Sequence, residues 1–233
     1  MKPSHLFRAC VSVFLLSMAA WAQQPAKAAS SADLESVLNR IDSTAASFRT
    51  TEASFVWDQF TKVVDETDTQ KGKVYFRRAG NEIQMAADIG APDKKYVLFV
   101  GGKVQIYQPN IEQVNEYQAG NNKQAIESFL VLGFGGSGHG LLKSFDVTHV
   151  GQETLGGIEV DKLDLVPKSP KVRNMFDHIF LWIDSRGVSV QQQLVAPSGD
   201  YRLAKYSGIQ LNQKIPDTVF KLKTTGKTQF VSH

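Results

Sequence analysis

Cysteine is nearly missing from this sequence: there is one, Cys10, and it lies at the start of the first apolar run. It therefore cannot be a lipidated cysteine at the end of that run, and the rest of the chain cannot form a disulfide. Long apolar segments are also missing after residues 9–20, because none approaches the roughly 20 apolar residues of a transmembrane helix. The hydrophobic core must hold the fold together unaided.

An excess of charge of either sign is missing as well. The chain has 26 basic and 23 acidic residues, a formal net charge of +3. Without Lys2 and Arg8 the basic count falls to 24 against the same 23 acidic residues, so the net charge is about +1. This balance gives no electrostatic basis for binding nucleic acid or another polyanion.

The first residues have the pattern of an export signal. Lys2 and Arg8 precede the apolar residues 9–20, and Ala20-Trp21-Ala22 is a small-x-small cleavage site. The expected product is exported, soluble and without an integral membrane span. We predict a signal peptide over residues 1–22, a flexible tail over residues 23–30 and a single domain over residues 31–233.

The strongest pattern in the chain is a set of strands that are apolar on one face and often on both. Residues 73–78 place Val74, Phe76 and Arg78 on one face, because side chains alternate across a strand. An antiparallel sheet that buries only one face needs apolar residues on that face alone. Because several of these strands are apolar on both faces, we predict a sheet curved around an apolar cavity. The predicted cavity lining and gate are Val74, Phe76, Arg78, Ile83, Met85, Phe99, Val104 and Ile106.

Helical spacing occurs in two places. Ser30 begins an amphipathic segment that ends near Phe48, and residues 121–132 form a second one. The remainder consists of strands joined by tight turns, and the last predicted strand covers residues 219–223. We expect ten or eleven antiparallel strands and two or three helices. The helices could cover the concave face as a lid through Leu34, Leu38, Ile41, Ile126, Phe129 and Leu130.

The candidates for catalysis are weak. The glycine-rich residues 133–140 lack the lysine of a phosphate-binding loop, so we interpret them as an irregular, mobile hinge. Ser137 and His139 have no nucleophile elbow around them and no evident orienting acid. His149 and His178 are isolated, and no cluster has metal-ligand spacing. The sequence favours binding over catalysis, without a cofactor or a metal.

Arg78 permits two interpretations. If the strand ends at Arg77, both arginines are solvated turn residues. If the strand continues, the Arg78 guanidinium turns inward, where its five donors could bond carbonyl groups of the facing helices and hold a lid closed. The residues alone leave both interpretations open.

Several ordered segments resemble the periplasmic outer-membrane lipoprotein carriers, the LolA-like proteins. The best segment is residues 97–109, followed by Glu112-Gln113; later come residues 165–168 and Ile215-Pro216 with Phe220. The resemblance implies an unclosed β-barrel with lid helices over a hydrophobic cavity, and it places Arg78 where the family has a gating arginine.

Partners and location follow from the same resemblance. It implies a periplasmic protein, with no cofactor, that takes lipoprotein acyl chains from an inner-membrane transporter and passes them to an outer-membrane receptor. We expect a monomer. Three alternatives remain open: a carrier of another amphiphile such as a glycolipid or free lipid, a periplasmic interaction module, and an esterase.

Overall fold

The computed structural model describes residues 31–90, 92–120 and 132–233. Three α-helices lie in these ranges: α1 (Ser31–Ser47), α2 (Gly138–Ser144) and α3 (Pro170–Arg173). Short 3-10 helices cover Pro109–Ile111 and Asp217–Phe220. The twelve strands are β1 (Thr50–Thr61), β2 (Glu66–Ala79), β3 (Glu82–Ile89), β4 (Lys95–Val100), β5 (Lys103–Gln108), β6 (Gln113–Gln118), β7 (Phe145–Leu155), β8 (Ile158–Pro167), β9 (His178–Ile183), β10 (Ser189–Val195), β11 (Tyr201–Leu211) and β12 (Gln229–Ser232).

All twelve strands form one sheet. Their order is β12-β6-β5-β4-β3-β2-β1-β11-β10-β9-β8-β7, and β7 and β12 each pair with one neighbour among the described strands. Every pairing is antiparallel except that of β12 with β6, which is parallel. This confirms the predicted fold class, a mainly β protein with helices in which one sheet forms an unclosed barrel. The sheet has one or two strands more than expected.

The concave face of the sheet has two parts that are covered differently. Over β7–β10, the aliphatic residues Leu163, Leu165 and Leu181 are fully buried beneath α1 and α2. We call this part the helix-covered half. The other part is formed by β11 and β1–β6, and on β11 and β1–β4 it carries a second cluster around Phe48 and Phe134. We call that part the plug-covered half, because a short segment of irregular chain packs against it.

The convex face is crossed by residues 213–228, which we call the strap. Ile215 and Phe220 of the strap bury against Ala86 and Leu98 of β3 and β4. The strand predicted over residues 219–223 is therefore wrong: the chain forms the 3-10 helix Asp217–Phe220, and the last strand is Gln229–Ser232. Packing on the outside of the sheet, instead of pairing at its edge, gives the apolar residues of this segment their partners.

The glycine-rich residues 133–140 are not wholly irregular, contrary to the prediction. Helix α2 begins inside them at Gly138, and Ser137 caps it by accepting a hydrogen bond from the backbone N–H of Gly140 at 3.0 Å. A serine cap satisfies one of the free N–H groups at a helix start. Within the described ranges, no helix has the length and apolarity needed to cross a membrane.

Candidate functional site: the plugged concave face

Residues 132–138, which we call the plug segment, approach their neighbours so closely that three positions require glycine. A Cβ atom on Gly133 would lie 2.2 Å from Cβ of Ser189, and one on Gly135 would lie 2.5 Å from the Phe48 ring. A Cβ on Gly138 would lie 2.4 Å from a backbone oxygen of α1. Gly133 and Gly135 also have positive φ angles of 77° and 147°. This burial argues against the hinge interpretation, since the glycines serve close packing.

Phe134 is the apolar centre of the plug segment. Its side chain is 1% exposed and stacks on Phe76 at a centroid distance of 5.2 Å. Tyr206 of β11 meets the same ring edge-on at 4.6 Å. Burial raises the pKa of Tyr206, whose hydroxyl donates to Gln192 at 3.2 Å. The Phe134 ring thus fills space at the centre of the plug-covered half.

Hydrogen bonds tie the plug segment to the sheet. The Gln192 amide donates to the carbonyl oxygen of Leu132 at 2.5 Å, and the Ser189 N–H donates to that of Gly133 at 2.8 Å. Both contacts come from β10, at the boundary between the two halves. The plug segment is therefore held along its β10 side by one side-chain and one backbone hydrogen bond.

Arg78 holds the other side. Strand β2 continues to Ala79, so Arg78 turns to the concave face. Its guanidinium donates to the carbonyl oxygens of Ala45 in α1 at 3.4 Å and of Gly135 at 3.3 Å, and it lies 5.5 Å from the centre of the Phe48 ring. The inward orientation is thus the one found, and one side chain joins the sheet, α1 and the plug segment.

Arg77 points the opposite way and holds the strap. It forms an ion pair with Asp217, and its guanidinium lies 4.2 Å above the Phe220 ring. This interaction lowers the pKa of Asp217, mainly through the hydrogen bond from Arg77. Two consecutive arginines therefore fasten the coverings of the two faces of the sheet.

The residues predicted to line the cavity lie on one face, as the strand registers show. Phe76, Met85, Phe99 and Val104 are cross-strand neighbours in a single row. Val74 and Phe76 are buried, while Ile83 and Met85 are half-buried against the same cluster. Phe99 is fully buried, and Val104 and Ile106 are half-buried. The lining set is therefore contiguous on the plug-covered half.

The predicted lid residues lie elsewhere. Leu38 and Ile41 are buried in the helix-covered half, and Leu34 packs against them. These three residues do not lie over the apolar row around Arg78. The residues near Arg78 are Ala45, in the last turn of α1, and Phe48, which directly follows α1. Ile126, Phe129 and Leu130 fall outside the described residues. Sequence reasoning missed the close packing of the plug segment. Its only sign in the sequence was the spacing of the glycines, and that spacing can be interpreted only once their packing partners are known.

Ser137 and His139 are brought to an acid, but not in a catalytic arrangement. His139 bonds Asp42 through Nδ1 and Glu35 through Nε2, the latter at 3.1 Å. The Ser137 hydroxyl donates to Asp42 at 2.7 Å instead of to the histidine. Both ring nitrogens bond carboxylates and neither bonds the serine, so Ser137 and His139 do not form the hydrogen-bonded pair of a nucleophile and its base in this arrangement. The cluster joins α1 to α2.

The pKa values follow this geometry. The hydrogen bonds with Asp42 and Glu35 raise the pKa of His139. Burial alone would raise the pKa of Asp42, but the bonds from His139 and Ser137 outweigh it and lower that pKa. Between these two titrations both groups are charged, and α1 and α2 are joined by an ion pair.

A second polar cluster fastens α1 to the sheet. His149 of β7, which is buried, bonds Asp161 of β8 at 2.8 Å, and Arg40 of α1 pairs with the same carboxylate. In the described part of the chain, no group of three His, Cys, Asp or Glu side chains could hold a metal ion. We therefore interpret both histidine clusters as attachments of α1.

Comparison with known proteins agrees with this architecture. A sequence model described as "Outer membrane lipoprotein carrier protein LolA" matches residues 46–223. The chain belongs to that family. Comparison with functionally curated proteins finds no match.

Solved structures share the fold at low sequence identity. MucB is 15% identical with a TM-score of 0.54, over 86% of this chain and 66% of that one. The chain thus spans just under two thirds of the length of MucB. An uncharacterised conserved protein from Thermus thermophilus is 11% identical with a TM-score of 0.55, over 85% of this chain and 98% of that one. These similarities concern the fold.

Proposed function

We propose that this protein is a periplasmic carrier that binds the acyl chains of lipoproteins on the plug-covered half and delivers them toward the outer membrane. The observation that carries the proposal is the contiguous apolar row on that half; among the described residues, a short segment centred on Phe134 covers part of this row and is held by a few hydrogen bonds. Membership of the lipoprotein carrier family supports the same role. The expected partners are an inner-membrane transporter and an outer-membrane receptor, and the cycle involves no chemistry.

The energetics suit a reversible carrier. Burying an acyl chain gains about 0.8 kcal/mol per methylene relative to water, so a chain of about sixteen carbons gains roughly 12 kcal/mol gross. Relative to a bilayer the gain nearly vanishes, because both sites are apolar. Small changes in the free energy of the covering then decide whether cargo is held or released.

The plug segment and Arg78 supply changes of that size. Cargo entering the plug-covered half must displace Phe134 from Phe76 and break the bonds from Arg78 to Ala45 and Gly135. Each such bond stabilises the covered state by about 1 kcal/mol net, or somewhat more for a charged donor. Their re-formation favours the release of cargo to an acceptor.

Native mass spectrometry of the protein purified from its own envelope tests the proposal, because it reports bound lipid and oligomeric state together. The expected result is a monomer that carries acylated cargo. Recombinant mature protein should also take up a fluorescent fatty-acyl probe with a stoichiometry near one. Protein free of lipid that also fails to bind the probe would be an interaction module and not a carrier.

A further inference from the structure

Arg202 lies at the rim of the concave face and has no ion-pair partner among the described residues. Arg202 of β11 lies opposite Gln59 of β1 and Leu194 of β10 in the strand registers, so its side chain begins on the concave side. It is exposed, and no described residue forms an ion pair with it. Its guanidinium lies 5.8 Å from the ring centre of Trp57. The Arg202 guanidinium thus contacts an aromatic ring of the fold, and no carboxylate among the described residues neutralises it at close range.

The surroundings of Arg202 are those of an amphiphile site. A pocket of about 250 Å³ at this rim is lined by Arg202, by the apolar side chains of Phe176 and Leu194, and by Gln59 among others. Leu194 packs against the core of the helix-covered half, and Trp57 against that of the plug-covered half. An acyl chain lying on the concave face would therefore end beside this guanidinium.

The carboxylate of the same pocket does not compete for Arg202. Asp200 also lines the pocket, but one of its oxygens accepts from the backbone N–H of Lys62 at 2.8 Å and the other from the Ser198 hydroxyl at 2.8 Å. These bonds lower the pKa of Asp200, with the bond from Lys62 contributing most. Both oxygens of Asp200 thus bond the turn, and neither forms an ion pair with Arg202, whose donors remain open to a ligand.

A second unused donor lies beneath the guanidinium. The indole N–H of Trp57 is buried and has no hydrogen-bond acceptor among the described residues. A buried donor without an acceptor costs free energy, and native structures seldom leave one unless a ligand or water supplies the oxygen. An oxygen-rich, negatively charged group at the rim would pair with the Arg202 guanidinium, beside a ring whose buried N–H has no acceptor among the described residues.

We propose that the cargo is an anionic amphiphile whose acyl chain lies on the concave face and whose phosphate or carboxylate headgroup binds Arg202 at the rim. This inference rests on the proposed binding of acyl chains; it names an anionic lipid as cargo in place of the lipidated cysteine of a lipoprotein, whose lipid has no phosphate or carboxylate. Arginine suits the role because its planar fork binds phosphate and carboxylate through two parallel hydrogen bonds.

Displacement of a fluorescent fatty-acyl probe tests the inference with three ligands of equal chain length: a phosphatidylglycerol, the matching diacylglycerol, and the free fatty acid. We expect Arg202→Gln to weaken the phosphatidylglycerol about tenfold and the diacylglycerol hardly at all, as the loss of one charge-assisted contact implies. The fatty acid shows whether a carboxylate is enough. Lys205→Gln is the matched control, because Lys205 lies on the same strand and pairs with Asp58.

The outcomes are distinguishable. Selective loss of the anionic ligands in Arg202→Gln supports the headgroup site. Equal affinities of the wild type and Arg202→Gln for all three ligands would leave the carrier function intact and overturn the headgroup site, and so would an equal loss for all three. If the wild type binds neither the probe nor any of the three ligands, both the carrier function and the headgroup site are refuted.

Discussion

The two halves of the concave face differ in what covers them. On the helix-covered half, Leu163 and Leu181 are fully buried under two regular helices. On the plug-covered half, Met85, Val104 and Ile106 are only half-buried, and the covering at its centre is a short irregular segment of chain. Among the described residues, the same sheet is thus covered by regular helices at one end and by irregular chain at the centre of the other.

The largest expected effect is a difference between the two halves in how much a truncated side chain lowers the free energy of unfolding. Leu181→Ala removes a fully buried side chain from the helix-covered half and should lower the free energy of unfolding by about 2–5 kcal/mol. Ile106→Ala, on the plug-covered half, should cost about 1 kcal/mol, because the side chain is only partly removed from water. Urea unfolding followed by tryptophan fluorescence measures both. Equal losses would mean that the two halves are one core.

Phe134→Ala tests the plug segment. The ring is 1% exposed, so its removal should cost about 3 kcal/mol in the absence of ligand. The space that it vacates lies against Phe76, where we expect acyl chains to bind, so uptake of the fluorescent probe should tighten. Weaker uptake by a folded Phe134→Ala protein would show that the ring forms part of the binding surface instead of competing for it.

The paired arginines provide a comparison with a built-in control. Arg78→Leu should keep the fold and probe binding but slow the handoff of cargo to a receptor, because the bonds to Ala45 and Gly135 no longer favour the covered state. Arg77→Leu should loosen the strap, which it holds through Asp217 and Phe220, and leave the handoff rate unchanged. A transfer assay between vesicles measures both rates, and identical rates for Arg78→Leu and the wild type would remove the gating role.

The smallest effect concerns pH. The raised pKa of His139 means that its contribution to stability is complete below the pKa of the unfolded chain and is lost as pH rises through the folded value. The lowered pKa of Asp42 means that its contribution is lost at acid pH. The difference in melting temperature between the wild type and His139→Gln should therefore shrink from about pH 6 to about pH 9.

Alternation along the strands was enough to predict which of these residues share one face of the sheet. Because side chains alternate, the sequence placed Val74, Phe76 and Arg78 on one face, and the short turn after β4 fixed the register that brings Phe99 beside Val104. These are local rules acting over a few residues. The order of most strands followed for the same reason, since neighbours in sequence pair in the sheet.

What the sequence did not reveal depends on distant partners. Asp42 is 97 residues from His139, so no motif could nominate it as the acid beside that histidine. The strand Gln229–Ser232 pairs with β6, which lies far earlier in the chain, and short exposed strands have little pattern of their own. The glycines of the plug segment resembled a flexible loop because the side chains that require them lie on other elements.

The sheet margins at β7 and β12 pair with no further described strand, and this affects what sizes of proposed cargo the sheet can accommodate. A fully sealed cylinder has a circumference set by its strand number and stagger, so widening it breaks inter-strand bonds. An unclosed sheet can become less curved and wider while all hydrogen bonds between the described strands are kept. A bulky cargo can thus be accommodated by a small change in the curvature of the sheet, and the free-energy cost of that change is distributed over many residues.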